Sequence, residues 1–342
     1  MSTIWFLGDV YLKDKNYEID IPNPSVINLE YVLSSDNLKP ITNKINLIGD
    51  NKFEGFTTLP LAVNLANNHI MDYGDLGFLN TLDILSNLDI KYFGAGCEED
   101  NFNNPCLINI CGKKVAFLGY SDVYHILDTD PTNYTVARPT KEQIINDINI
   151  CNKNKVDAII VNIHWGREER PWHNKKQEKL GRLFIDQGAD IVIGHHPHCI
   201  QPVELYKGRY ICYSLGNSFF PDISTPAYFR SDGTSEFVMY KKHFKYGINS
   251  LLIEFDLHSK TIKTIYKAQM KNNRFAVGNS VKHNEIVPRI FSNRFLNNSM
   301  GYFRMLCLIL RSNFAVDGKV FNYKVIKKEI EIIKKRIWGS KI

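Results

Sequence analysis

The sequence predicts an α/β layered fold, on three observations. Short apolar runs rich in β-branched residues stop at polar or glycine residues, helical patterns separate them, and the runs do not alternate, as in strands buried on both faces. The first run is Ile4–Leu7, closed by Gly8-Asp9. Leu59–Leu65 follows, then a pattern over Asp75–Leu88 in which Leu76, Leu79, Leu82, Ile84 and Leu85 recur near the helical period. Val115–Leu118, a helix over Lys141–Asn152 and a strand over Ala158–Ile163 come next. Lys175–Gln187 reads as a helix stopped by Gly188, the residue favoured just past a helix C-terminus. Ile191–Ile193 and Tyr210–Tyr213 complete the alternating region.

Beyond about Asn217 the expected strands Phe237–Tyr240, Ser250–Asp256 and Thr261–Ala268 follow one another without helices, as in an antiparallel meander. Residues 1–274 are expected as one domain and 275–342 as a basic, mainly helical C-terminal extension. Within that extension Lys324–Trp338 sets Val325, Ile326, Ile330, Ile333 and Ile337 among lysines. It reads as a helix docked on the domain, or as a peripheral contact with an anionic membrane surface or an acidic partner.

A chain of 342 residues with 44% hydrophobic content can bury a large core. It has no apolar run of about 18 residues, so no transmembrane segment is expected. The start, Met1 to Asp9, lacks the basic and long apolar regions of a secretory signal, which predicts a cytoplasmic protein. Seven scattered cysteines without a C-x-x-C pair argue against a disulfide scaffold or a zinc knuckle. The net charge of +6 is mild, and no basic stripe interleaved with aromatics crosses the motif-bearing region, so nucleic acid is not an expected partner.

In layered α/β proteins functional residues collect at the C-terminal ends of strands. Here those ends carry Asp9; Asn28-Leu29-Glu30; Asn67-Asn68-His69 with Asp72 behind; His164-Trp165-Gly166 with Glu168; His195-His196-Pro197-His198; and Gly216-Asn217. Each alone reads as loop chemistry, but loop chemistry does not repeat at five or six strand ends. Imidazole, carboxylate and amide oxygen together suit a divalent metal such as Mn, Zn or Fe better than Mg or Ca, with ligands for one or two ions. Two ions can activate water and clamp both oxygens of a phosphoryl transfer. Glu168, His173 (after Pro171-Trp172) and Asn217 are expected to contact substrate.

These residues in this order resemble the bacterial capsule-synthesis CapA family, or poly-γ-glutamate capsule family, of the calcineurin-like metallophosphoesterase superfamily. The resemblance rests on Phe6-Leu7-Gly8-Asp9, Asn28-Leu29-Glu30, Ala66-Asn67-Asn68-His69 with Asp72 and Gly74, and Phe93-Gly94-Ala95-Gly96. It continues through His164-Trp165-Gly166-x-Glu168, Gly188-Ala189-Asp190, Gly194-His195-His196-Pro197-His198 and Tyr213-Ser214-Leu215-Gly216-Asn217, over roughly residues 4 to 256. It implies a four-layer αββα sandwich with a metal site across the top of the central β-sandwich. By resemblance, Asp9 is the first-motif carboxylate, Glu30 the bridging carboxylate, Asn68 an amide ligand and His164 an imidazole ligand. His69 stands near the leaving group as general acid or oxyanion stabiliser, and Asp72 either orients His69 or caps the following helix. His196 and His198 are the expected ligand pair on spacing, while His195 could replace His196 or serve as a third ligand. Gly194 is expected to turn the chain off its strand, with Pro197 fixing φ.

The sequence departs from the superfamily at Asp9-Val10-Tyr11, where Asp-x-His is usual, and the extra histidine of the 195–198 cluster could supply the missing imidazole. Family members at the cell surface carry an N-terminal membrane anchor, which is not expected here. The implied activity is metal-dependent hydrolysis of phosphoester or related bonds in bacterial capsule or cell-surface polymer metabolism, on a phosphorylated or acidic polymer-related substrate. The alternative is a non-hydrolytic accessory of poly-γ-glutamate or capsular polysaccharide biosynthesis that binds an acidic polymer or a partner capsule-synthesis enzyme.

Overall fold

Fourteen strands form the two sheets that set the layers of this computed structural model, which describes residues 2–286 apart from 14–16, 42–44, 51, 100–101, 104, 124–132, 230–234, 242–248 and 272. The chain enters the first sheet through β1 (Thr3–Val10), β2 (Ser25–Leu29), β3 (Ala62–Asn64) and β4 (Lys91–Phe93). It crosses to the second through β5 (Cys106–Ile110), β6 (Lys113–Ser121), β7 (Ala158–His164), β8 (Ile191–His195), β9 (Val203–Tyr206) and β10 (Arg209–Cys212). It returns through β11 (Asn217–Phe219), β12 (Asn249–Asp256), β13 (Thr261–Lys271) and β14 (Arg274–Ser280). The first sheet runs β14-β13-β12-β1-β2-β3-β4 with β11 also on β1, and the second β9-β10-β8-β7-β6-β5. Strands β1 to β4 are mutually parallel, as are β6, β7, β8 and β10.

The side-chain period of two assigns the faces. Ile4, Phe6, Val26, Ala62, Ile253 and Phe255 of the first sheet pack against Val115, Phe117, Ala158, Ile160, Ile191 and Ile193 of the second. On the outer face of the first sheet, Leu7, Val10, Ile27, Leu29 and Val63 pack with Phe78 and Leu85 of helix α1 (Gly74–Asn87). On the outer face of the second, Ala116, Leu118, Ile159, Val161 and Val192 meet Ile144 and Ile148 of α2 (Lys141–Lys153) and Phe184 and Ile185 of α3 (Lys175–Gln187). Helix, sheet, sheet and helices are therefore four layers. The strands read as unalternated apolar runs because both faces are covered. The expected helices fall where the periodicity put them, and α3 opens on a capping box between Asn174 and Gln177.

The expected domain boundary at 274/275 meets β14, which continues the first sheet to Ser280. From residue 287 on, including the basic segment Lys324–Trp338, the expected extension lies outside the described residues.

Candidate metal centre

Toward the C-terminal ends of the parallel strands, the face between the sheets turns from apolar to polar without changing parity. Val26 is followed two residues on by Asn28, Ala62 by Asn64, Ile160 by Asn162 and His164, and Ile193 by His195. Strand β1 reaches this face through an extra residue. Phe6 pairs with Val26, but Asp9 rather than Gly8 pairs with Asn28. That bulge lets Leu7 and Val10 both face the outer core while Asp9 turns inward. Asn217, Asp9, Asn28 and Asn64 thus stand in register across the first sheet. Ser121, His164 and His195 form the facing row on the second.

The side chains of these rows are buried, so their charges and dipoles must be met by one another or by a bound group. Asp9 Oδ1 accepts from Asn28 Nδ2 at 2.9 Å, and Oδ2 accepts the His196 backbone N–H at 3.2 Å. His195 Nδ1 lies 3.2 Å and His198 Nδ1 3.5 Å from the same carboxylate. Glu30 Oε1 is 3.4 Å from His164 Nε2 and 3.6 Å from His198 Nε2. His164 Nε2 lies 2.7 Å from Asn68 Oδ1. Ligand atoms of Asp9, Glu30 and His164 lie within 4.8 Å of one another, and so do those of Glu30, His196 and His198. Glu30 belongs to both groups. His196 Nδ1 is buried without a hydrogen-bond partner, an arrangement that a divalent cation beside these carboxylates would satisfy.

The histidine loop differs from expectation in one respect. Strand β8 runs through Gly194 to His195, so the glycine does not make the turn. Its requirement is steric, because a Cβ there would run into the Tyr213 carbonyl oxygen. The turn is made by the imidazole-bearing residues themselves, His196 at φ 92° and His198 at φ 52°, a left-handed conformation that is costly away from glycine.

The other expected residues are placed as follows. His195 bridges Asp9 and Asn162, with Nε2 3.2 Å from Asn162 Oδ1. Asn217 Oδ1 is 2.8 Å from His198 Nδ1, which puts Asn217 behind an imidazole. Asp72 Oδ2 lies 2.8 Å from His69 Nδ1 and accepts from Leu47 N at 2.6 Å. The residue before α1 is Tyr73 and has no side-chain cap, so of the two readings Asp72 takes the one that orients His69. His173 stacks on Tyr213 with ring centroids 3.6 Å apart and lies 4.0 Å from Glu178, a setting in which it packs against the fold. Glu168 sits on an exposed turn between Gly166 (φ 88°) and Glu169 (φ 59°), and Glu169 N–H donates to Pro197 O at 2.8 Å. Tyr11, in place of the usual histidine, donates its hydroxyl to the Ile48 carbonyl at 3.2 Å and packs on Tyr31 and Phe220. Sequence reasoning placed Asn28 at a strand end without a role and missed Asn64 and Asn162 as parts of the site; the available signal was their parity with the apolar residues two positions earlier.

Burial pushes His196 down to about 3, further lowered by His198 although the charges of Glu168 and Asp9 oppose the shift. Burial likewise holds His164 well below the ordinary imidazole range, with the neighbouring histidines adding to it. Burial alone would raise Asp9, but the hydrogen bond and charge of His195, with His198 and Asn28, outweigh it and keep its carboxyl low. Both imidazoles are therefore neutral in the fold at neutral pH. Below about 6.5 the unfolded chain takes up protons that buried His196 refuses, so stability falls as pH drops from about 6.5 toward 3. Chelator-treated protein is expected to unfold at a lower temperature at pH 5.5 than at pH 7.5; an equal or higher value at pH 5.5 would contradict the neutral-imidazole assignment.

The sequence matches the family model described as "Bacterial capsule synthesis protein PGA_cap" over residues 11–222. It is 36% identical over 173 residues to the capsule biosynthesis protein CapA of Bacillus anthracis, covering 49% of this chain and 41% of that one. It is 32% identical over 201 residues to the PGA biosynthesis protein CapA of Bacillus subtilis (strain 168), covering 58% and 51%. The chain thus spans about half the length of these relatives. A phosphatase structure from Mycoplasma pneumoniae aligns over 86% of this chain and 98% of its own at a TM-score of 0.46 and 12% identity, too loose a likeness to bear on mechanism.

Proposed function

Because the chain belongs to the bacterial capsule synthesis family PGA_cap, we propose that the site formed by its two polar rows and the loops beyond them holds one or two divalent ions and hydrolyses phosphoester or related bonds in capsule or cell-surface polymer metabolism. The observation that carries this reading is Glu30, a buried carboxylate common to two ligand groups drawn from opposite sheets. Asp9, Glu30, Asn68, His164, His196 and His198 would hold the ions, with Mn, Zn or Fe matching the mixed nitrogen and oxygen donors. Bound there, divalent ions supply positive charge against the reacting group and acidify water for attack.

The chain's own residues do the rest. Asn217 Oδ1 accepts a hydrogen bond from the Nδ1–H of His198, which leaves the Nε2 lone pair facing Glu30. His195 lies beside Asp9 with its Nε2 held by Asn162, and its Nδ1, buried without a hydrogen-bond partner, would be open to the ions as a further nitrogen. Asp72 accepts a hydrogen bond from the Nδ1–H of His69 and so favours its imidazolium form, whose Nε2–H would give its proton to the departing oxygen and leave a neutral imidazole. Glu168, exposed beside the Pro197 turn, is the group best placed to meet substrate; His173, held against Tyr213, contributes shape.

The test is turnover of a panel of phosphomonoesters and phosphodiesters by purified protein loaded with Mn, Zn, Fe, Co or Mg. Metal-dependent hydrolysis is expected, and His69→Ala should lower kcat by about 10²–10⁴ without changing metal content. Tightly held metal with no turnover on any substrate would instead favour a non-hydrolytic accessory that binds an acidic polymer or a synthesis enzyme, a reading supported by the relatives' names, which speak of biosynthesis. A protein that retains no metal would sink both readings. A cytoplasmic setting belongs to the same proposal and is open to cell fractionation. Among the described residues no helix is long and apolar enough to cross a membrane.

A further inference from the structure

Two asparagines that no ligand role requires lie behind Asp9. Asn28 and Asn64 are Cα partners on β2 and β3, and both are fully buried. The backbone N–H of Ala66 donates to Asn64 Oδ1 at 3.2 Å, and Asn64 Nδ2 donates to Asn28 Oδ1 at 2.9 Å. Asn28 Nδ2 then donates to Asp9 Oδ1 at 2.9 Å.

The nitrogen and oxygen of an amide are told apart by their partners, and here one backbone donor decides the whole series. Ala66 N–H can only donate, so it must meet the oxygen of Asn64. The nitrogen of Asn64 must then meet the oxygen of Asn28, and the nitrogen of Asn28 is left for Asp9. The second proton of Asn64 Nδ2 faces the Ala66 carbonyl at 3.5 Å, so turning this amide would set donor against donor and acceptor against acceptor. Glycines make the room. A Cβ on Gly119 of β6 would run into Asn64 Oδ1, and one on Gly94 would stand 3.0 Å from it.

We infer that Asn64 and Asn28 form an oriented amide relay that fixes Asp9 as a hydrogen-bond acceptor at the metal centre and couples the Ala66–His69 loop, which carries Asn68, to the strand that carries Asp9. The inference rests on the metal-site reading above. Both asparagines act through Asp9 and are positioning residues.

Orientation and packing predict opposite orders for two variants at position 64. Asn64→Asp keeps the shape but offers acceptors where the relay needs a donor. Asn28 then turns its nitrogen toward position 64 and its oxygen against Asp9. Asn64→Ala leaves a gap, yet Asn28 can keep its nitrogen on Asp9. If Asn64 only fills space, alanine is the worse change. The added negative charge of aspartate by itself favours a cation, so weakened metal binding in that variant cannot come from charge.

The experiment measures cobalt(II) affinity of the full chain by chelator competition, together with the visible absorption of the bound ion. Circular dichroism and thermal unfolding of the chelated protein check the fold. Asn64→Asp is expected to weaken binding about 10–100-fold and to change the cobalt spectrum, while Asn64→Ala weakens it less than about threefold with the spectrum unchanged. Wild-type affinity in Asn64→Asp, or equal loss in both variants, overturns the relay. Should Asn64→Asp not fold, Asn28→Ala replaces it, with the same 10–100-fold loss expected and wild-type affinity in a folded protein overturning the relay. A wild-type chain that takes up no cobalt overturns the metal-site reading and this inference with it, whereas a cobalt-binding wild type beside indifferent variants overturns the relay alone.

Discussion

Replacing Asp9 by asparagine is expected to abolish metal uptake and hydrolysis while leaving a folded chain. Both carboxylate oxygens of Asp9 act as acceptors, Oδ1 from Asn28 Nδ2 and Oδ2 from the His196 backbone N–H. An asparagine has one oxygen for two donors. Whichever way it turns, its NH₂ faces a donor, and the unmade hydrogen bond costs about 1–3 kcal/mol. Loss of the buried charge brings no relief, since His195, His198 and Asn28 favour the charged carboxylate of Asp9 against its burial. The variant also loses one anionic ligand. The wild-type chain should gain about 2.7 kcal/mol of stability at a metal concentration 100 times Kd, and the variant none. Turnover should fall by at least the 10²–10³ typical of deleting one preorganised electrostatic group. Elemental analysis, thermal unfolding with and without metal, and single-substrate kinetics check this. Wild-type metal content in Asp9→Asn would remove Asp9 from the ligand set.

The ends of the parallel strands were legible because a strand buried on both faces has a plain signature, and the residue that follows it is conspicuous. That is why Asp9, His164 and the 195–198 cluster stood out, and why the long helices fell at their observed positions. Edge strands were less legible. Cys106–Ile110 and Val203–Tyr206 each leave one face wet, with Leu107 and Leu205 exposed, so no continuous apolar run marks them. The asparagines behind Asp9 escaped for another reason. An Asn near the end of a strand looks like the beginning of a loop, and only the pairing of β1 with β2 and β3 shows that Asn28 and Asn64 face inward beside a carboxylate. The bulge in β1 was equally hidden, since Leu7-Gly8-Asp9 carries no local mark of which residue is extra. The handedness of the histidine turn could not be read either, because Gly194 and Pro197 drew attention from His196 and His198, whose own backbones take the strain.

Gly8 is where that hidden bulge becomes testable. An alanine there is expected to unfold the domain well below the wild-type temperature. A Cβ on Gly8 would lie far inside van der Waals contact with the Gly216 carbonyl oxygen, and only 2.8 Å from its carbonyl carbon. Backbone atoms cannot swing aside as the end of a side chain can. The Gly216 carbonyl is held by the Asp9 N–H at 2.9 Å, and Gly8 N–H is tied to Ser218 Oγ at 2.8 Å. Relief therefore requires β1 and β11 to part, which breaks these bonds and the Asp9–Asn217 register that brings Asn217 to His198. Overpacking with loss of buried hydrogen bonds puts the cost at about 3 kcal/mol or more. For a domain of this size that lowers Tm by about 6–12 °C. Gly208→Ala is the contrast. Gly208 has φ 76° but open space around its Cβ, so its cost is confined to the left-handed backbone, about 1 kcal/mol. Comparable melting temperatures for Gly8→Ala and Gly208→Ala would mean that close contact between β1 and β11 is not what turns Asp9 toward the metal centre.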